Sequence, residues 1–186
     1  MRRNWEVSRR QFISLVGAAG ASGSAVTLNC MAAVRPAAAP APSMRVLNYR
    51  QAATLGAIAE QIVPADSGPG ARQTGAVNYI DSVLSGYQRE KSPLYAAGLQ
   101  GADETSQLTF GRDFVDLDFD RQTGILKEME NGSAQGEIWK TVSSQEFFAM
   151  VWNHTLEAFY GPSDQGGDKN YASWKMMGFP EHSGTM

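Results

Sequence analysis

The sequence predicts an all-α fold: a single small domain of five to six short helices with a long C-terminal loop. Three observations predict it. Apolar residues recur three or four positions apart through most of the chain, which places them on one face of a 3.6-residue helix. No stretch alternates convincingly between apolar and polar at period two, so nothing supports a sheet. Start and stop signals for helices bracket the periodic runs. A chain of 186 residues suits one domain with a tail. The reading divides it into a leader and linker, 1–43, and a helical domain, 44–186.

The first helix carries Leu47, Leu55, Ile58, Ala59, Ile62 and Val63 at helical spacing. Pro64 ends it, because the residue before a proline is pushed out of the helical region. The turn-rich P-A-D-S-G-P-G-A follows at 64–71. Thr74 is placed to cap a second helix that buries Val77, Ile80, Val83, Leu84 and Tyr87. Ser92-Pro93 reads as a cap followed by proline at the first helical position, opening a third segment with Leu94, Tyr95 and Leu99 inward. A fourth spans about 103–114 with Leu108, Phe110 and Phe114. The fifth runs from about Asp120 through Ile125, Leu126 and Met129 and stops at Asn131-Gly132. The strongest helix begins at Ser143 or Ser144, carries Phe147, Phe148, Val151, Trp152, Thr155 and Phe159, and ends at Gly161. Tyr160 to Pro180 packs glycines, aromatics and methionines into a stretch without helical spacing, and a loop of that length in a small domain is usually functional or disordered, with its large apolar residues arguing against disorder. Its Trp174, Met176, Met177 and Phe179 call for burial, either within the domain or against another subunit.

The first forty residues have a different character. S-R-R-Q-F-I at 8–13 precedes an uncharged run from Ile13 to Leu28, rich in Gly, Ala and Ser. The run is too short and too weakly apolar to span a bilayer, and its interior glycines argue against a buried helix. Arg9, Arg10 and Phe12 fit the twin-arginine export motif, so the expectation is a signal for a route that carries folded cargo to the periplasm. Gly17, Gly20 and Gly23 do not make a nucleotide loop, since no strand precedes them. The Ala/Pro text after Ala32 reads as a lead-in to the domain.

Charge excludes one class of partner. Of 16 basic residues, five precede residue 42, leaving 11 basic against 18 acidic groups in the rest. That body lacks the cationic surface that nucleic acid requires. Cys30 is the only cysteine, which rules out an intrachain disulfide and a Cys-based zinc or iron–sulfur site within one chain. No His/Glu pair has the spacing of a metal-binding helix, and His154 reads as a hydrogen-bonded structural residue. Asp116, Asp118 and Asp120 fit the first three ligand positions of a calcium loop. Arg121 and Lys127 then stand where glycine and glutamate are required. There is no G-x-S-x-G elbow, no C-x-x-C-H haem site and no flavin fingerprint after a strand. The residues therefore point to no catalytic, cofactor-binding or metal site in this chain. One alternative remains: a stand-alone exported helical enzyme or small-ligand binder using the C-terminal loop and His154.

T-L-G-A-I-A-E-Q-I-V-P-A-D-S-G-P-G-A (54–71) and G-A-V-N-Y-I-D (75–81) resemble the opening of the gluconate 2-dehydrogenase subunit 3 family. H-T-L-E-A-F-Y-G (154–161), G-G-D (166–168) and W-K-M-M-G-F-P (174–180) resemble its ending. The family usually has G-G-N where this chain has Gly166-Gly167-Asp168, often with an aromatic where Gln165 stands. The resemblance implies a small exported subunit, commonly with a twin-arginine signal, that assists folding, export or assembly of a flavin-dependent dehydrogenase of the glucose–methanol–choline type. It implies FAD in that large subunit, often haem in a c-type cytochrome subunit, and no catalytic residue here. Tyr160, Gly166, Gly167, Trp174, Met177 and Phe179 are the residues expected to meet the partner.

Overall fold

The computed structural model describes residues 44–161 and 167–179. Among them are seven α-helices and no strand. They are α1 (Tyr49–Ile62), α2 (Ala71–Thr74), α3 (Ala76–Ser85), α4 (Ser92–Phe110), α5 (Phe119–Asn131), α6 (Ser144–Tyr160) and α7 (Ala172–Met177). Short 3-10 turns lead into α4, α5, α6 and α7.

Capping chemistry sets most of the boundaries. Asn48 and Gln51 form a reciprocal capping box on α1, each side chain accepting the other's backbone N–H at 2.9 Å. Asp118 caps α5 by accepting the N–H of Arg121 at 2.9 Å, and Ser143 caps α6 through the N–H of Glu146. Gly132, at φ 73°, ends α5 in the left-handed conformation that glycine adopts without steric cost.

The core lies where α6 crosses the other helices. Phe147, Val151, Ala158 and Phe159 of α6 are buried with Leu55 and Ile58 of α1, Ile80 and Leu84 of α3, Tyr95 and Leu99 of α4, and Ile125 and Met129 of α5. Phe148 and Trp152 lie half-buried on the flank of the stripe. The Phe147 and Tyr95 rings meet edge to face at a centroid distance of 5.9 Å, a favoured aromatic geometry.

Four expectations are corrected. The third and fourth predicted segments are one helix, α4. Its Gly98 and Gly101 are contact points and not breaks: a β-carbon at Gly98 would overlap the Phe147 ring, and one at Gly101 would lie 2.6 Å from Trp139. Thr74 does not cap α3. It closes the single turn of α2, its hydroxyl is turned back onto the Gly70 and Ala71 carbonyls, and Gly75 at φ 86° makes the junction. Tyr87, Leu108 and Phe110 are exposed, because α3 ends before Tyr87 and the last turn of α4 runs past the core. The C-terminal stretch is partly helical, containing α7 and the turn before it.

Opposite outcomes are expected at two helix glycines. Gly98→Ala forces a methyl group into the Phe147 ring and costs about 1–3 kcal/mol, the range for overpacking a core. Gly124→Ala meets nothing within 4 Å at an exposed position of α5 and gains about 0.5–1 kcal/mol from lost unfolded-state freedom. Thermal denaturation of both variants checks the pair of signs.

Candidate functional site

Three carboxylate acceptors organise the surfaces around the core. The Asp81 carboxylate, on α3, accepts the backbone N–H groups of Arg45, Val46 and Leu47 at 2.7, 3.0 and 2.9 Å. One side chain thus fixes the lead-in to the domain, and Leu47 is buried beside it. Glu60 near the end of α1 accepts from Ala65 and Arg72 at 2.9 and 3.2 Å and holds the 64–70 loop closed. A β-carbon on Gly70 would lie 2.5 Å from the Glu60 carboxylate, so the loop's tightness depends on that glycine.

Asp168 is the third. Fully buried, it accepts the N–H groups of Ser173 and Trp174 at 2.7 and 3.4 Å and so caps α7. Its own N–H donates to Ala158 of α6 at 2.7 Å. Asp168 adopts φ 30°, a left-handed position that Asp and Asn tolerate better than other side chains. The adjacent Gly167 is buried, and a β-carbon there would overlap the Ala158 carbonyl. Sequence reasoning missed Asp81, Glu60 and Asp168. A lone acid beside Ile80, or beside a glycine pair, was the available signal.

The expected partner-binding residues divide by position. Tyr160, Met177 and Phe179 are exposed; Trp174 is half-buried, and its indole N–H donates to the Tyr160 carbonyl at 3.0 Å. Gly178 at φ 74° ends α7, and the N–H of Phe179 turns back to the Trp174 carbonyl at 2.9 Å. Gly167 faces inward, holding the segment onto α6. Gly166 lies outside the described residues, as do Arg9, Arg10 and Phe12. Met176, not among the expected set, lies over Gly68, where a β-carbon would overlap its sulfur. That contact joins the 64–70 loop to α7, so two stretches distant in sequence share one face.

His154 is buried, and both ring nitrogens are engaged. Tyr95 Oη lies 2.8 Å from Nδ1 and Gln88 Oε1 lies 3.0 Å from Nε2. Because the Gln88 oxygen can only accept, Nε2 carries the proton and Nδ1 accepts from Tyr95. Burial lowers the His154 pKa below its ordinary value, with Lys91 adding to that and Glu157 opposing it. Burial also raises the Tyr95 phenol, so it remains the donor. A shallow groove of about 390 Å³ lies between α1 and α3, lined by Ala52, Gly56, Arg72 and Asp116. The Arg72 Nε–H is spent on the Gly56 carbonyl at 3.0 Å. No cluster of three His, Cys, Asp or Glu side chains suited to a metal occurs among the described residues. No described helix is long and apolar enough to cross a membrane.

The family model for gluconate 2-dehydrogenase subunit 3 matches residues 49–180, from the start of α1 to just past α7. The chain belongs to that family. It is a subunit family, so membership implies partner subunits in a gluconate dehydrogenase complex. Comparison with curated proteins and with solved structures returned no match.

The His154 geometry fixes a sign. A histidine whose folded pKa is depressed resists protonation that the unfolded chain accepts near 6.5. Its stabilising contribution is complete above pH 6.5 and falls away as pH drops through the folded value. Denaturant unfolding from pH 7.5 to 5 should show this decline, and His154→Gln should flatten it.

Proposed function

We propose that this chain is the non-catalytic small subunit of a membrane-associated or periplasmic dehydrogenase complex that oxidises gluconate or a related sugar. Its partner is an FAD-dependent large subunit of the glucose–methanol–choline type, with a c-type cytochrome as the further redox partner. The chain assists export and assembly of the flavoprotein, and carries the twin-arginine address at Arg9 and Arg10 that the translocase reads. The family match over residues 49–180 carries this reading. The exposed apolar residues at the C-terminal end of the domain support it, since a subunit needs a face to offer.

In this reading the flavin and haem belong to partner chains, and the small subunit contributes shape. The engaged nitrogens of His154 favour it over a stand-alone enzyme built on that residue, because both are committed to structural hydrogen bonds.

The escort role is tested by replacing Arg9 and Arg10 with lysine. The flavoprotein should then disappear from the periplasm and accumulate in the cytoplasm together with the small subunit. Periplasmic flavoprotein at the wild-type level would sink the escort role. Co-purification from the native source, followed by mass spectrometry, should recover a flavin-containing large subunit with this chain.

A further inference from the structure

Residues 167–179 are packed inside out. Their buried members are Gly167, Asp168 and Ser173, none of them large or apolar. Met176, Met177 and Phe179 stand 50%, 40% and 59% exposed, and Tyr160 beside them 51%. A short segment folding for its own domain would turn these residues the other way. Here the backbone is held against that tendency. Asp168, Asn170 and Tyr171 have φ values of 30°, 62° and 53°, and they are the only non-glycine residues with positive φ among those described. For a tyrosine this conformation is strained. The Ser173 hydroxyl is buried without a hydrogen-bond partner, a second local cost of the same arrangement.

The charge of the segment is equally unusual. Beyond the leader the chain carries 18 acidic against 11 basic groups. In 167–179 the one carboxylate, Asp168, is fully buried, and the exposed charges are the ammonium groups of Lys169 and Lys175. Apolar residues and two exposed cations on one segment, on an otherwise acidic body, match a surface that is apolar and carries carboxylates. A second copy of this chain is a poor occupant. A two-fold contact sets a patch against itself, bringing the same lysines face to face.

We infer that Lys169–Phe179, with Tyr160, forms the docking face for a partner-subunit surface that is apolar and carries carboxylates. Phe179 and Met177 are the apolar anchors, Lys169 and Lys175 set register and capture rate, and the Asp168 cap holds α7 in its outward pose. The inference rests on the complex-subunit reading, and its test separates the two.

The experiment uses the full mature chain and the large subunit recovered with it from the native source, with binding measured at roughly 50 and 300 mM salt. The double variant Lys169→Glu, Lys175→Glu should weaken association about tenfold at low salt and remove most of the salt dependence. Phe179→Ser should weaken it at least about tenfold at both salts, with the helical circular dichroism and melting temperature of the wild type. Wild-type affinity in both variants, with the complex intact, overturns the face and leaves the subunit reading standing. Failure of the wild-type chain to recover any large subunit overturns both. Sedimentation of the isolated chain supplies the remaining arm: a dimer abolished by Phe179→Ser makes a second copy the occupant and overturns the inference.

Discussion

The close approach of α4 and α6 at Gly98 and Phe147 is the constraint on which the rest of the domain depends. With hydrogen at the Gly98 α-carbon, the Phe147 ring sits directly on the α4 backbone. That proximity brings Tyr95, three residues before Gly98, against the Phe147 ring and into hydrogen-bonding reach of His154 two turns along α6. The same helix pair admits Trp139 at Gly101, where its indole N–H finds the Thr105 hydroxyl at 2.8 Å. Close packing of this kind tolerates little change of volume, which is why two small residues in one helix fix the position of three large ones elsewhere.

Much of this was legible in the residues, for identifiable reasons. α5 and α6 were readable because cap, apolar stripe and stop glycine agree with one another: Ser143 with Gly161, and Asn131-Gly132 after Met129. The division of α4 failed because no large apolar residue stands between Leu99 and Leu108; the buried positions there are Gly101, Ala102, Thr105 and Ser106, small residues that admit a neighbour's ring without marking the helix face. Thr74 misled because a hydroxyl can bond forward as a cap or backward onto a preceding carbonyl. The exposed face at α7 was half legible: Trp174, Met177 and Phe179 are conspicuous residues, but their outward direction is set by Asp168, whose burial no spacing rule reveals.

The functional picture follows from what the polar side chains are spent on. The acids that a search for catalysis would collect have backbone partners instead: Asp81 at residues 45–47, Glu60 at the 64–70 loop, Asp168 at α7 and Asp118 at α5. His154 is committed between Tyr95 and Gln88. These side chains hold the shape of the domain. Its most distinctive shape is the face where Met176 brings α7 over the 64–70 loop.

Asp81 has a mechanical consequence. The three N–H groups it binds belong to the residues just before α1, while the carboxylate itself stands in α3. A pull on the residues preceding Met44 is therefore borne by α3 before it reaches the first turn of α1. Tension on Arg45 to Leu47 is delivered to the middle of the domain, and α1 is shielded from being unwound from its end. The start of the domain thus has a load-bearing anchor that costs a single side chain.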